Sequence, residues 1–436
     1  MLLTLLACSK PPPLVLLISL DTTRADVLGP YGGKGTPTID RLADDGVTFE
    51  WALSGSSTTL ASHTSVFSGR DSHGTGVVRN GYPVPEGLPL LTERFQEAGW
   101  DTWAVVGSTA LEERMGLNRG FRTWTDHDLI PYLKQYEVGA DVVNQRALEQ
   151  LRNEPTFAFV HYYDVHGPWN SAPRELQCEY ADCSYTGPIG TTNESVLWFS
   201  QRENLKTLTD QDRAQAWGLY QAEVAWADQN LGALFDSLGD RMDNALIVLF
   251  SDHGETMEGS ADKGYGHGPH VDLDIIHVPL VVMGTGDFAV PNGQRVDRQV
   301  RLMDIGSTVL TVSGLGGSLG DGEDLSVLWR GERPPAPANF AEATKPIARE
   351  SRDRWNNLPF ERSVAYDDHI LIARPMQRQA ALYAIDAERT PVTEDRERAE
   401  EMVGKLVEWD KAAPPHREPN MSKETEDALR ALGYLN

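Results

Sequence analysis

The feature that most constrains the fold of this chain is a short apolar run that ends in polar residues, which recurs along the sequence. The first run is PLVLLISLD, ending at Asp21. Similar runs are TWAVVGS around Val105, TFAFVHYYD ending at Asp164, and ALIVLFSDHGE, which contains Asp252. Strands of a parallel sheet show this pattern because helices cover both of their faces. The runs therefore predict strands of one parallel sheet.

Helical patterns separate these runs. They are clearest at residues 91–98 and 210–238, where apolar side chains recur every three or four positions. Alternating strands and helices predict an α/β fold, with a large, mostly parallel sheet and helices on both faces. Ligands of such sheets bind beyond the carboxyl ends of the strands, where Asp21, Asp164 and Asp252 are expected to collect.

Changes in composition predict the domain organisation. We expect a catalytic domain over residues 14–330 and, after the Pro-rich GERPPAPA, a small α+β subdomain over residues 331–436. Residues 168–204 show little periodicity and predict a surface insertion of the kind that often forms a lid. The subdomain is expected to contain strands near Val364 and at residues 369–373, and helices at residues 400–409 and 424–432.

The three cysteines bear on the compartment. MLLTLLACSK resembles a bacterial lipobox, so residues 1–8 are expected to be a lipoprotein-type signal segment that ends at Cys8. The alternative is an accidental match, since no Lys or Arg precedes the short apolar run. Cys178 and Cys183 are expected to form a disulfide, with two unrelated thiols as the alternative. We expect a periplasmic or outer-surface protein of the bacterial cell envelope, with a lipid anchor on Cys8 as its membrane contact.

Charge limits the partners. The chain has 39 Lys and Arg against 64 Asp and Glu, a net charge of −25. Such a surface repels phosphate backbones, which argues against a nucleic-acid partner. An anionic substrate would need a local site that overcomes this field, and a bound metal is a common means.

Several polar residues suit a metal. Asp21 ends the first run, and Asp252 and His253 lie side by side at the last one, where a carboxylate and an imidazole can bind a divalent cation. Asp164 and His166 could hold a second metal, or could instead be one ligand and one structural hydrogen bond. Between these segments lies the hydroxyl-rich TLASHTSVFSGR.

Together these motifs resemble the sulfatase family of the alkaline phosphatase superfamily. LISLDTTRADVLGPYGG resembles the family's first strand and metal aspartate, TLASHTSVFSGR its nucleophile loop, and FSDHGE with GHG its second metal strand. LTERFQEAGWDTWAVVG, HYYDVHGPW and the terminal EDALRALGYL extend the resemblance over almost the whole chain. It implies an alkaline-phosphatase-like fold and a metal-dependent hydrolase that acts on ester bonds.

The nucleophile loop departs from the sulfatase pattern CxPSRxxxxTGR, in which a Cys or Ser is oxidised to formylglycine. Thr59 stands at that position, and Ala61 and His63 stand where the family has its proline and arginine. Threonine carries a methyl on Cβ and cannot yield the aldehyde. The loop is instead similar to the TLPSH variant and to the threonine loops of phosphodiesterases and phosphoglycerol transferases, in which the threonine is both nucleophile and metal ligand.

The resemblance implies roles for further residues. Asn80, which follows Thr59 by 21 positions, resembles an asparagine that hydrogen-bonds a phosphoryl oxygen, although a turn residue in an Asn-Gly pair is an equal alternative. His166 and His267 resemble residues that contact a substrate oxygen or a second metal, and either could protonate a leaving group. His63 is expected to orient the nucleophile loop. Four other histidines are expected to be structural or on the surface: His270, His277, His369 and His416.

The sequence thus predicts a metal-dependent hydrolase or transferase that acts on phosphate, or sulfate, esters of a small molecule, lipid or glycan. The expected cofactor is one or two divalent ions of Ca, Mn, Zn or Mg. The alternatives are a sulfuric ester hydrolase without formylglycine and a catalytically weak surface protein that binds anionic glycans or lipids. The expected catalytic residues are Thr59, Asn80, His166 and His267, and the expected metal ligands are Asp21, Thr59, Asp252, His253 and Asp164.

Overall fold

A computed structural model describes residues 10–126, 138–192, 194–195, 198, 202–260, 264–344, 359–386 and 390–413. The predicted signal segment with Cys8, the predicted helix at residues 424–432 and His416 lie outside these ranges. Within them, no helix combines the length and the apolar character that a membrane span requires.

The strands and helices are numbered in chain order. The strands are β1 Leu14–Leu20, β2 Gly46–Phe49, β3 Ala52–Leu53, β4 Asp101–Val106, β5 Thr123–Thr125, β6 Thr156–Tyr162, β7 Ala245–Phe250, β8 Thr256–Ser260, β9 Gly264–Gly266, β10 His277–Val278, β11 Leu280–Gly284, β12 Gln294–Val296, β13 Val300–Arg301, β14 Asn339–Thr344, β15 Pro359–Tyr366, β16 His369–Arg374 and β17 Gln379–Ala384. The α-helices are α1 Pro37–Asp44, α2 Thr59–Ser68, α3 Ser72–Thr75, α4 Leu91–Glu97, α5 Ala140–Gln150, α6 Arg174–Tyr180, α7 Arg202–Leu205, α8 Asp210–Leu238, α9 Leu273–Ile276, α10 Ile305–Val312, α11 Ser326–Trp329 and α12 Arg396–Lys411.

A large sheet forms the centre of the molecule, with the strand order β12-β2-β11-β7-β1-β6-β4-β5. The strands from β7 to β5 run parallel, whereas β11 is antiparallel to both of its neighbours. The four predicted strands are β1, β4, β6 and β7, so the predicted, mostly parallel sheet is confirmed.

Both faces of this sheet are covered, as the continuous apolar strands require. In β1, Val15 and Leu17 belong to the core on one face, and Leu16 and Ile18 to the core on the other. The predicted helices at residues 91–98 and 210–238 correspond to α4 and α8. Helix α8 begins where the Thr209 side chain accepts a hydrogen bond from the Asp212 backbone N–H.

The segment predicted as a surface insertion contains α6 and a disulfide. Cys178 and Cys183 are bonded, with their Cα atoms 5.2 Å apart, so this prediction is confirmed. Helix α6 packs against α8. Gly218 of α8 permits the close approach, because a Cβ there would lie 2.4 Å from the Tyr180 backbone oxygen.

The C-terminal portion is an antiparallel sheet, β14-β15-β16-β17, that packs against α12. It contains the predicted strands near Val364 and at residues 369–373, and the predicted helix at residues 400–409. Its first strand reaches the segment before α2, where the Asn339 side chain donates a hydrogen bond to the Ser54 backbone oxygen at 3.1 Å.

Candidate active site

The carboxyl ends of β1, β6 and β7 deliver the polar residues of the site to one edge of the sheet. Asp21 follows β1, and Asp252 and His253 follow β7. The parallel register places Ser19 of β1 opposite both Phe250 of β7 and His161 of β6. Residues far apart in sequence therefore meet because the strands end together.

Asp21, Asp252 and His253 form a fully buried cluster, with one potential ligand atom of each within 4.8 Å of the others. It is the one such His, Cys, Asp and Glu group within the described ranges. Each residue has one atom held by the protein. The Oδ1 atom of Asp252 accepts from the Thr22 and His253 backbone N–H groups, Nδ1 of His253 bonds the Gly254 oxygen at 3.0 Å, and Oδ2 of Asp21 lies 3.0 Å from His161.

The other atom of each residue makes no hydrogen bond to a described residue. These atoms are Oδ1 of Asp21, Oδ2 of Asp252 and Nε2 of His253. Nε2 of His253 lies 3.3 Å from Oδ2 of Asp252, and these two atoms pair only while His253 is protonated. Buried polar atoms are normally paired, so with a neutral His253 the set needs a further partner. Two carboxylate oxygens and an imidazole nitrogen are suitable ligands for a divalent cation, and the residues present therefore fit one.

The charges in the cluster influence one another. Burial raises the pKa of Asp21, while the nearby His253, His166 and Thr59 act in the opposite direction. Burial likewise raises the pKa of Asp252, and Asp21 adds to the effect. Burial opposes protonation of His253, but Asp252 and Asp21 outweigh it and raise its pKa. Two close carboxylates thus favour a positive charge between them.

Thr59 begins helix α2 beside this cluster. Its hydroxyl is buried and lies close enough to Asp21 to lower the pKa of that carboxyl as a hydrogen-bond donor. His63, one turn later, bonds the Thr59 backbone oxygen through Nδ1 at 2.7 Å and Ser19 Oγ through Nε2 at 2.9 Å. His63 therefore anchors the start of α2 to β1, as its expected orienting role requires.

Asn80 lies against the same helix start. Its Oδ1 atom accepts a hydrogen bond from the Leu60 backbone N–H at 2.8 Å, whereas its buried Nδ2 makes no hydrogen bond to a described residue. The side chain thus stabilises the first turn of α2 and keeps an amide donor free next to Thr59.

His166 and His267 lie on the side of His253. The ring centroid of His267 is 4.4 Å from that of His253 and 5.0 Å from that of His166. Burial lowers the pKa of both residues, that of His166 to about 3, so both are neutral near pH 7. Nδ1 of His166 donates its hydrogen to the Gly167 backbone oxygen at 2.7 Å, so Nε2 of the neutral ring carries no hydrogen. Neither residue carries the extra proton that a ready general acid needs.

Asp164 lies outside the cluster of Asp21, Asp252 and His253. Its Oδ1 atom accepts a hydrogen bond from the Ala140 backbone N–H at 3.1 Å, at the start of α5. Asp164 follows β6 by two residues, and the chain has already turned towards that helix. Oδ1 thus caps α5, whereas Oδ2 is buried, and metal ligation by Asp164 stays a prediction.

Two residues of the site carried no role in the sequence prediction. His161 bonds Asp21, and Glu255 lies 3.3 Å from Nδ1 of His267. Burial raises the pKa of Glu255 to about 8. A signal for His161 existed, since a histidine near the end of an apolar strand is a polar group in a buried position, and Glu255 belongs to the SDHGE motif itself.

Comparisons with known proteins agree with this architecture. A family model described as Sulfatase matches residues 13–315. An ulvan-active sulfatase of Formosa agariphila is 26% identical over 356 residues, which cover 74% of this chain and 66% of the relative. The chain thus spans just under two thirds of that relative's length.

Solved structures share the fold. One, described as in complex with its substrate D-glucosamine-2-N,6-O-disulfate, is 18% identical and has a TM-score of 0.70, with 95% of this chain and 100% of the other covered. The phosphonate monoester hydrolase of Agrobacterium radiobacter is 21% identical with a TM-score of 0.67, and the match covers 92% and 95% of the two chains. The predicted alkaline-phosphatase-like fold is confirmed.

Proposed function

The chain belongs to the sulfatase family, whose characterised relatives are ester hydrolases, and from this premise we propose that it cleaves phosphate esters with Thr59 as the nucleophile. The observation that carries the proposal is the Thr59 hydroxyl, which is buried beside the cluster of Asp21, Asp252 and His253 and directed at Asp21. A threonine at this position cannot become formylglycine, because its Cβ bears a methyl group.

The cluster and the Thr59 hydroxyl would together hold a divalent cation. Such an ion would lower the pKa of the Thr59 hydroxyl and neutralise charge on the bound ester. The protein's own contribution is orientation, since Thr22, Gly254 and His161 each hold one atom of a ligand residue and leave the other free.

The reaction proceeds as a double displacement. Oγ1 of Thr59 forms a bond to phosphorus as its hydroxyl proton passes to water, and the bond from phosphorus to the leaving oxygen breaks as that oxygen takes a proton from water. Water or an acceptor alcohol then attacks phosphorus, the bond from phosphorus to Oγ1 breaks, and Oγ1 regains a proton in exchange for the one that the attacking group loses. The free Nδ2 of Asn80 donates to a non-bridging oxygen, and the neutral His267 donates to another ester oxygen, with His166 beside it.

Phosphate esters suit this nucleophile better than sulfate esters. A hydrated aldehyde can expel sulfate as its carbonyl re-forms. A sulfated threonine cannot form a carbonyl, so its sulfate leaves only after a second attack at sulfur. A phosphothreonine is hydrolysed by water or transfers its phosphoryl group to an alcohol. The structural similarity to a phosphonate monoester hydrolase also supports phosphorus esters as the substrate class.

The second candidate is hydrolysis of a sulfate ester on a glycan without formylglycine. It is favoured by the relative named as an ulvan-active sulfatase. A location in the cell envelope, with a lipid anchor on Cys8, would suit either glycan or lipid esters, and the Cys178–Cys183 disulfide supports an oxidising compartment.

The test is a substrate screen with matched variants. Purified protein is assayed on nitrophenyl phosphate monoesters, phosphodiesters, phosphonates and sulfates, each with Mn, Zn, Mg and Ca. We expect Thr59→Val to lose several orders of magnitude in kcat and Thr59→Ser to keep measurable activity. Thr64→Val is the control, since its buried hydroxyl on the same helix bonds the Leu60 backbone oxygen at 2.6 Å, and its activity should stay near wild type.

Intact-mass measurement after rapid quenching should detect a phosphoryl adduct on the wild type and none on Thr59→Val. Near wild-type turnover by Thr59→Val, or faster hydrolysis of sulfate esters than of every phosphorus ester tested, would contradict the proposal. The second result would favour the sulfate-ester candidate.

A further inference from the structure

His161 is a buried side chain at the site to which the proposed reaction gives no chemical step. It lies on β6 opposite Ser19 of β1, and its ring is completely buried. Nε2 lies 3.0 Å from Oδ2 of Asp21. An ionised carboxylate only accepts hydrogen bonds, so Nε2 carries the hydrogen and donates it.

This bond distinguishes the two oxygens of Asp21. Oδ2 is occupied by His161, whereas Oδ1 makes no hydrogen bond to a described residue. A carboxylate held in this way presents one oxygen to the cluster with Asp252 and His253. Without the bond, rotation about the last side-chain torsion would let both oxygens face a cation, because that torsion is broad in aspartate.

The imidazole ring of His161 is itself held in place. The ring of His63 stands edge-on to it, with centroids 5.1 Å apart and an interplanar angle of 81°. Both nitrogens of His63 are engaged, by the Thr59 backbone oxygen and by Ser19 Oγ. One layer of two rings therefore supports both Asp21 and the backbone of Thr59.

We propose that His161 is a positioning residue that restricts Asp21 to one ligand oxygen and so makes the cluster prefer a small divalent cation to Ca²⁺. Ca²⁺ takes six to eight oxygen ligands and often uses both oxygens of a carboxylate. Zn²⁺ binds about four ligands, at shorter distances. The inference rests on the proposed function only in that the cluster holds a cation.

The test is calorimetric titration of the metal-stripped full chain with Zn²⁺ and, separately, with Ca²⁺. His161→Phe keeps an aromatic ring against His63 but removes the donor. His161→Gln restores an N–H near the position of Nε2. We expect His161→Phe to bind Zn²⁺ roughly 10–100-fold more weakly and to lower the ratio of Zn²⁺ to Ca²⁺ affinity at least about tenfold, while His161→Gln stays within about threefold of wild type.

Wild-type Zn²⁺ affinity and an unchanged ratio in His161→Phe would overturn the inference. So would a loss in His161→Gln as large as in His161→Phe, because ring packing would then be responsible. If His161→Phe does not fold, His161→Met gives the same test with a flexible apolar side chain. A protein that is inactive on phosphorus esters but shows the expected metal affinities contradicts the proposed function and leaves this inference intact. A wild type that binds neither Zn²⁺ nor Ca²⁺ contradicts both the proposed function and this inference.

Discussion

Asn80 combines two tasks in one side chain, a helix cap and a free donor, and a substitution can separate them. We expect Asn80→Ala to lower kcat/KM for phosphate esters by about 10²–10³-fold, because the proposed donor to the phosphoryl oxygen is lost. It should also reduce the free energy of unfolding by about 1–2 kcal/mol, since the Leu60 backbone N–H loses its acceptor. Steady-state kinetics and chemical unfolding measure the two effects.

The control for this variant is another helix start. Thr209→Ala removes the side-chain acceptor of the Asp212 backbone N–H at the first turn of α8, and should cost similar stability while leaving kcat/KM within about twofold. If Thr209→Ala and Asn80→Ala impaired activity equally, Asn80 would act through folding alone.

Glu223 of α8 is a buried carboxyl whose effect depends on pH. Burial, and then Asp164, raise its pKa from 4.5 to about 9, so the folded protein keeps a proton that the unfolded chain loses above its ordinary pKa. The stability from this proton is complete below about pH 4.5 and is lost as pH rises through about 9, on the order of 1 kcal/mol per pH unit between. Glu223→Gln cannot ionise, so its stability relative to wild type should increase from pH 5 to pH 9.

Thermal unfolding at pH 5, 7 and 9 measures the difference in stability between Glu223→Gln and wild type. Glu408→Gln is the control, because it makes the same chemical change at a side chain that is 73% exposed, and its difference from wild type should not vary with pH. A Glu223→Gln protein whose difference from wild type stays constant would show that Glu223 is ionised in the folded state.

The residues of the cluster were predictable from the sequence to the extent that strand ends define positions. Asp21, Asp252 and His253 sit directly after predicted strands, and the parallel register brings them together. Asp164 also follows a strand, but its direction depends on the turn after β6, which apolar periodicity does not describe. His161 was missed because its neighbour across the sheet becomes known only with the register.

At the scale of elements, the contact between α6 and α8 depends on a glycine. Gly218 lies inside the 29-residue helix α8, where alanine would ordinarily stabilise the helix by roughly 0.5–1 kcal/mol. A Cβ at this position would lie 2.4 Å from the Tyr180 backbone oxygen and 2.9 Å from Ala181 Cα, and backbone atoms cannot move aside cheaply. We expect Gly218→Ala to destabilise the protein by about 1–3 kcal/mol, measured by chemical unfolding.

Gly404 of α12 provides the matched control. A Cβ there meets nothing within 4 Å, so Gly404→Ala should show the ordinary gain of roughly 0.5–1 kcal/mol. A gain in Gly218→Ala equal to that of Gly404→Ala would mean that α6 can lie farther from α8 at no cost.

Elements with strong local patterns were predictable, and the contacts between them were not. The central strands and α8 follow from continuous or periodic apolar residues. The antiparallel strand β11 has the same apolar character as its neighbours, LVVMG, so its direction could not be predicted from composition. The connection from β7 to β11 covers residues 251–279 and returns to the carboxyl end of β7, where the Ser54 and Gly254 backbone N–H groups bond the Ile276 and Ile275 oxygens.

At the scale of the whole molecule, the C-terminal sheet supports the segment before Thr59 through buried charges. Strand β14 bonds Ser54 through Asn339, and its Glu342 accepts a hydrogen bond from Arg362 of β15 at 2.9 Å. Arg362 also pairs with Asp410 of α12 at 2.5 Å. Burial opposes ionisation of Glu342, but Arg362 and His73 outweigh it and lower its pKa. This connection joins residues too distant in sequence for a local pattern to predict.

The same charges define the final prediction. Arg362 is only 1% exposed, and Arg362→Met keeps much of its length and volume but leaves the Glu342 charge buried without its main partner. We expect a loss of about 3–5 kcal/mol in the free energy of unfolding, with reduced turnover, because β14 would no longer hold the segment before Thr59. Arg396→Met is the control, since that arginine is 89% exposed in its pair with Glu400, and the change should stay within about 0.5 kcal/mol.

A double variant identifies the cause. The double variant Arg362→Met with Glu342→Gln also removes the buried Glu342 charge. Part of the lost stability should therefore return, because breaking a buried ion pair destabilises a protein more than replacing both of its members. Chemical unfolding of the single and double variants completes the cycle. Two results would mean that apolar packing alone holds the C-terminal sheet. One is an Arg362→Met protein that is no less stable than Arg396→Met. The other is a double variant whose loss in free energy of unfolding exceeds the sum of the losses of the two single variants.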